Sequence, residues 1–492
     1  MSAARILVID EGTSSTRALL FDEEGSIHGL AQRAIPARYP NPGWVEQDAA
    51  AIWEATMSVA SEMVAKAGGA GRICAIGLTN QRETLVAWDR RTGELLAPAI
   101  VWQDRRTQPA CATLREQGHE AALQQATGLL LDPYFSASKM RWMLDNEAAV
   151  ASAASAGTLA FGTIDSWLLF KLTGAHATDS SNASRTALMR LDGATWDEGL
   201  CDLFGVPVAT LPEIVPMAGT LGETRLFGEP IPIGGSAGDQ QSATIGQGCL
   251  MPGAAKATFG TGLFALASTG RERKTSQHRL LSTLLLDDGS HHVFALEGSV
   301  FVAGSLIQWL RDQMGLVADA KETEALASSV ENSGGVTIVP AFSGLGAPHW
   351  RPDVTGSIHG LTFGVSKAHL VRAALEAVTM SCTDLAAAFA ADGAEWERLR
   401  VDGGMIANDW LAQDLADILD VVVERPLSVE STARGAAMLA AAGTGLHGGV
   451  GEAIAAMLPD YENFIPASNA REREERRRCW DAVLARALGS VG

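Results

Sequence analysis

Positive charge is scarce in this chain of 492 residues: 38 lysines and arginines stand against 57 aspartates and glutamates, a formal net charge of −19. A nucleic-acid or anionic-membrane binder needs the opposite balance, so both partner classes are excluded. A phosphate-bearing ligand must then be held by local donors against the global field. Cysteine is sparse as well. Cys74, Cys111, Cys201, Cys249, Cys382 and Cys479 form no Cys-x-x-Cys pair, which speaks against zinc and disulfide frameworks and reads as core thiols in a reducing compartment. No cationic stretch followed by an apolar segment opens the chain; a buried strand is expected from Ile6 almost at once, and a cytoplasmic location with it. Residues 148–170 are interrupted by Ser, Thr, Gly and Asp165 and cannot span a bilayer. There is no Walker A sequence and no Gly-x-Ser-x-Gly or Ser-x-x-Lys nucleophile. The charge run at residues 471–478 mixes Glu with Arg and reads as a solvated helix face.

What is abundant is apolar material, 47% of residues, enough for large cores in two to four domains. Ile6-Leu7-Val8-Ile9-Asp10, a small-residue turn at Gly12-Thr13-Ser14-Ser15, and a second apolar run from Arg17 to Phe21 predict a β-hairpin with a hydroxyl-rich tip. Asp48 precedes a helical pattern (Ile52, Trp53, Met57, Ala60, Val64) as its cap, and a strand follows at residues 73–78. Alternating strands and helices predict α/β architecture. A second hairpin, with Gly260-Thr261-Gly262 at its tip, predicts a duplicated unit with a cleft between the copies, divided near residue 245.

Phosphate needs crowded backbone N–H groups that only small residues leave accessible. The Gly12–Ser15 tip offers them, with Arg17 in reach and Asp10 placed for a water-held Mg²⁺. Alone, such a tip is commonly only a turn; two of them predict a clamp closed from both domains. Val401-Asp402-Gly403-Gly404, between a strand and a helix opening near Asn408, suits the flat end of a nucleotide or is only a strand-to-helix turn. Asp239 follows the glycine-rich run 234–238, which places its carboxylate on an approachable loop, where it is an ordinary turn acid or, taken with the other motifs, the proton acceptor that phosphoryl transfer to an alcohol would need. Arg82-Glu83 with Trp102 and Tyr134 offer charged partners and an aromatic wall to a small polyol, or are core packing.

The motifs together resemble the glycerol kinases of the FGGY carbohydrate kinase family. The resemblance is carried by Asp10-Glu11-Gly12-Thr13, Asn80-Gln81-Arg82-Glu83-Thr84, Ser181-Asn182-Ala183-Ser184-Arg185-Thr186, Gly238-Asp239-Gln240-Gln241, Phe259-Gly260-Thr261-Gly262 and Val401-Asp402-Gly403-Gly404, over nearly the whole chain. It implies two actin-like (ribonuclease H-like) α/β domains, residues 1–245 and 246–492, with an active-site cleft between them, and a homo-oligomer, dimer or tetramer. It implies ATP-dependent, Mg²⁺-assisted phosphorylation of glycerol to sn-glycerol 3-phosphate, the first step of glycerol utilisation, with Asp239 as base. Arg82, Glu83, Tyr134, Asp239 and Gln240 would bind glycerol, with Trp102 and Phe264 as the wall. Thr13, Ser14, Ser15, Arg17, Thr261, Gly304, Gln308, Gly404 and Asn408 would contact the nucleotide, and Asp10 would lie near Mg²⁺ through water. Glu11 stands where the family usually has Gln, adding a negative charge beside the phosphate loop, while His349 and Arg351 replace a usual Tyr and Asp. Residues 226–230 lack the loop that binds fructose 1,6-bisphosphate in some members.

Overall fold

The computed structural model describes residues 5–489. Strands β1 (Arg5–Glu11), β2 (Ser15–Phe21), β3 (Ile27–Ala34), β4 (Ile73–Asn80), β5 (Ala218–Thr224) and β6 (Ile231–Gly238) form one sheet in the order β5-β6-β4-β1-β2-β3. Strands β7 (Ala254–Phe259), β8 (Leu263–Gly270), β9 (Leu281–Asp287), β10 (His292–Val300), β11 (Arg398–Asp402), β12 (Val422–Pro426) and β13 (Tyr461–Phe464) form a second, ordered β9-β10-β8-β7-β11-β12-β13. In each, an antiparallel hairpin (β1-β2, β7-β8) carries a third antiparallel strand (β3, β10) on its outer side and parallel strands (β4 and β6, β11 and β12) on its inner side. The unit is duplicated in sequence order and in strand sense.

Seven helices place the site: α1 (Ala49–Ala67), α2 (Asp239–Gly246), α3 (Gly304–Asp312), α4 (Lys367–Ala391), α5 (Asp409–Leu419), α6 (Ser431–Gly443) and α7 (Ala470–Gly489). Asp48 caps α1 by accepting the Ala50 N–H at 2.9 Å, as its position before the helical pattern predicts. Side chains alternate across a strand, and β1 uses both faces. Leu7 and Ile9 join Ala18 and Leu20 in a core roofed by α1, while Ile6 and Val8 join Leu19 and Phe21 in a core roofed by α6 and residues 450–457. A helix from late in the chain therefore seals the first sheet.

That seal overturns one expectation. The glycine run before Asp239 is not a loop but the buried end of β6. A Cβ on Gly235 would lie 2.6 Å from the Leu439 Cβ, and one on Gly443 would lie 1.8 Å from the Gly234 carbonyl. The glycines serve close backbone approach between β6 and α6.

The 471–478 run also differs from expectation. Arg476 forks Asp414 at 2.6 and 2.9 Å, Arg477 meets Asp384 at 2.7 Å and Arg473 meets Asp420 at 2.8 Å, so the arginines fasten α7 to the second lobe. Among the described residues α4 alone is long and apolar enough to cross a membrane, and most of that stretch is buried in the second core.

Candidate active site

The first hairpin tip reaches the seam between the lobes, where Thr13 shares a cavity with Phe264, two residues past the second tip. In the first, the Gly12 N–H closes the turn onto the Ser15 carbonyl at 3.0 Å, and Gln47 Nε2 donates to the Thr13 carbonyl at 2.6 Å. Ser14 is exposed; the Ser15 hydroxyl accepts Gln32 Nε2 at 2.9 Å. In the second, the Gly260 and Thr261 carbonyls accept the Gly304 and Ala303 N–H groups, both at 2.9 Å. A Cβ on Gly304 would lie 2.6 Å from the Gly260 oxygen, so glycine lets α3 start against the tip. The Thr261 side chain is exposed, and so is Gln308 one turn along α3. Gly404 faces open space, whereas Asn408 is engaged at both ends, accepting the Leu411 N–H at 2.9 Å as the cap of α5 and donating to Thr323 at 3.1 Å.

Arg17, expected to reach phosphate, is held by two carboxylates. Its Nε and Nη2 donate to Asp10 Oδ2, and its Nη1 donates to Glu430 of the second lobe at 2.8 Å.

Thr13, Arg82, Glu83, Trp102, Tyr134, Asp239, Gln240 and Phe264 line one cavity of about 60 Å³. The first seven come from the first lobe, and Phe264, two residues past the second tip on β8, comes from the other. Trp102 meets Tyr134 edge-on at 5.6 Å and Phe264 at 6.5 Å, and its indole N–H donates to the Thr13 hydroxyl at 3.0 Å. Asp239 opens α2 directly after β6 and accepts the Gln240 N–H at 2.7 Å. Its side chain is 35% exposed into the cavity. Withdrawal from bulk water pushes the Asp239 carboxyl upward, against the pull of Arg82 and Lys256. Glu83 holds a left-handed backbone, φ 60°, rare for a residue with a side chain and a mark of a site that overdetermines its geometry.

The FGGY family of carbohydrate kinases matches this chain over residues 5–246 with its N-terminal domain and over residues 255–444 with its C-terminal domain. The chain belongs to that family. Among curated relatives, a glycerol kinase of Alcanivorax borkumensis is 50% identical over 487 residues, covering 98% of each chain, and one of Polaromonas naphthalenivorans is 49% identical over 491 residues, covering 98% of this chain and 99% of its own. The solved glycerol kinase of Plasmodium falciparum with ADP superposes with a TM-score of 0.93 at 34% identity, covering 99% of this chain and 98% of its own. A xylulose kinase of Lactobacillus acidophilus, at 21% identity and TM-score 0.89 over 99% of both chains, shares the fold. The two actin-like domains expected from the sequence are therefore the fold of this FGGY kinase.

Four residues of this FGGY kinase's site escaped the sequence reasoning. Arg185 donates to Glu83 at 2.6 Å and stacks over the Tyr134 and Phe135 rings at 5.4 and 5.2 Å. Glu297 on β10 accepts the Arg82 guanidinium at 2.7 and 2.8 Å, and the two arginines overcome its burial to hold its carboxyl at about 2. Lys256 on β7 donates to Gln240 Oε1 at 2.9 Å, its ammonium pushed down by burial. Glu430 completes the Arg17 pairing. Glu297 and Lys256 carried a usable signal: each is a lone charge in an otherwise apolar strand, and such a charge is buried only with partners.

Glu11 requires a correction. At the end of β1, next to the tip, it is fully buried, accepting Thr16 Oγ1 at 2.5 Å and Thr56 Oγ1 at 3.4 Å. Burial pushes its carboxyl up to about 8, so at neutral pH it is protonated and stands in for the neutral amide usual there. Of the other departures, His349 lies 3.5 Å from Asp384 and Arg351 pairs with Asp353 within its own turn, both outside the cavity.

Proposed function

We propose that this FGGY kinase transfers the γ-phosphoryl group of ATP to a terminal hydroxyl of glycerol, giving ADP and sn-glycerol 3-phosphate. The carrying observation is the single small cavity that gathers Arg82, Glu83, Trp102, Tyr134, Asp239, Gln240 and Phe264 beside Thr13 of the first tip. Trp102 and Phe264 pack against the carbon chain, while Arg82 and Glu83 take donors and acceptors of two neighbouring hydroxyls. Asp239 accepts the proton of the third as it attacks in line. The nucleotide extends from the two tips toward Gly404, whose open face suits adenine, with Thr13, Ser14, Ser15, Thr261, Gly304 and Gln308 along its path; Arg17 reaches phosphate only by releasing Glu430, and Asn408 supports the base by ordering the start of α5.

Mg²⁺ belongs to the same proposal. Both Arg17 contacts fall on Asp10 Oδ2, and among the described residues no three His, Cys, Asp or Glu side chains gather to hold a metal ion. One carboxylate plus water fits a cation that keeps most of its hydration shell. When bound, Mg²⁺ neutralises phosphate charge. The proposal also takes residues 1–245 as the polyol and phosphate-loop domain and residues 246–492 as the nucleotide domain, supported by α2 ending at Gly246 and β7 starting at Ala254. A cytoplasmic homo-oligomer, dimer or tetramer, follows from the family resemblance.

ADP release measured over glycerol, erythritol, xylulose and ribulose tests the substrate. Glycerol should give the highest kcat/KM, since Trp102 and Phe264 wall the cavity from two sides and favour a short carbon chain. Preference for a pentulose overturns the proposal.

A further inference from the structure

Glu297 is a second-lobe carboxylate, 1% exposed, behind Arg82 of a cavity otherwise lined almost wholly by the first lobe. It accepts both ends of the Arg82 guanidinium, Nη1 at 2.7 Å and Nη2 at 2.8 Å, together with Arg185 Nη1 at 3.3 Å. Arg185 in turn gives its Nε to Glu83 at 2.6 Å. Arg82 comes nearest to Asp239 with Nε, at 3.4 Å, longer than an ordinary hydrogen bond. The Nη1/Nη2 fork of Arg82 is taken up by Glu297, which leaves Nε alone turned toward Asp239. Glu297 and Asp239 compete for that fork, and Glu297 holds it.

We infer that Glu297 is a positioning residue for the phosphoryl-transfer base: by keeping the Arg82 fork, it leaves the Asp239 carboxylate free to take a proton from the alcohol. Because Glu297 arrives from the other lobe, docking of the lobes becomes a condition for a working base. This rests on Asp239 acting as the base. The charged groups around Asp239 are Arg82 from the segment after β4, Lys256 from β7 and Asp10 from the end of β1. With Glu297 neutralised, Arg82 turns its fork onto Asp239, and a forked carboxylate is a weaker base.

The test is the full chain carrying Glu297→Gln, followed by glycerol-dependent ADP release across pH. The kcat should fall at least about 10-fold, the scale of a compromised general base. The acid limb of the kcat profile should move down by roughly one pH unit, with KM for ATP held within about two-fold. Unchanged kcat and limb, or a rise in both KM values with the limb fixed, overturns the inference. Glu297→Asp keeps the charge but draws the carboxylate back by one methylene; it should move the limb the same way by less, and it decides the matter should the glutamine variant not fold, since an unmoved limb then overturns the inference. Unmodified protein is measured alongside. No glycerol-dependent turnover there sinks the base assignment itself, whereas normal turnover with an unaffected variant sinks the inference about Glu297 alone.

Discussion

The Trp102 indole donates to the Thr13 hydroxyl at 3.0 Å, so one hydrogen bond ties the aromatic wall of the cavity to the first hairpin tip, the proposed phosphate loop. On the proposed function, a residue of the glycerol wall thereby orders the loop proposed to hold ATP. Trp102→Phe keeps a wall and cuts the tie. A neutral hydrogen bond contributes about 1 kcal/mol, so KM for ATP should rise roughly five-fold in steady-state kinetics, beyond any change in KM for glycerol. An ATP KM that stays put would show the tie to be incidental.

Asp239→Asn removes the proposed proton acceptor and keeps the shape. The kcat should drop by at least about 10²-fold while nucleotide binding persists. Near-normal turnover takes Asp239 out of its role.

Thr261→Val deletes one exposed hydroxyl at the second tip. If that hydroxyl meets phosphate, its loss leaves a charged partner unmet and costs about 1–3 kcal/mol of ATP affinity, seen by calorimetric titration. An effect confined to the glycerol KM would contradict the assignment.

Glu11→Gln isolates a buried acid. The folded carboxyl titrates near 8 against an ordinary 4.5, so between those values the folded state holds a proton that the unfolded chain has lost. Stability therefore falls as pH rises through that window, by roughly 1.4 kcal/mol per unit from this group, and levels off above 8. The glutamine variant lacks the slope. Thermal midpoints from pH 5 to 9 should show the variant pulling ahead up to pH 8 and holding its lead above it; parallel curves would refute a buried neutral Glu11.

Gly235→Ala forces a methyl to within 2.6 Å of the Leu439 Cβ. Overpacking of this kind costs typically 1–3 kcal/mol, and the thermal midpoint should fall. An unchanged midpoint would mean that β6 and α6 have slack the structure does not show.

Much of the fold can be read from residues near one another in sequence. The two hairpins, the Asp48 cap, strand β11 and the Asn408 start of α5 all follow from apolar period and capping chemistry. What escaped depends on partners far along the chain. A glycine run announces backbone freedom but not the helix that presses on it, so residues 234–238 read as a loop. The Arg17 pairing is another case: nothing nearby in sequence reveals Glu430, 413 positions later. The cavity-lining residues were legible as residue types through the family resemblance; the arginine–glutamate lattice behind them, spanning residues 82 to 297, required the folded chain.

The roofing of the first sheet by α6 reaches beyond the finished molecule. Ile6, Val8, Leu19 and Phe21 stay wetted until residues 431–443 arrive to cover them. During synthesis the amino-terminal half must wait, with one oily side bare, until nearly the entire polypeptide has left the ribosome. A fragment ending near residue 245 would carry that exposed surface permanently and should clump rather than stand alone.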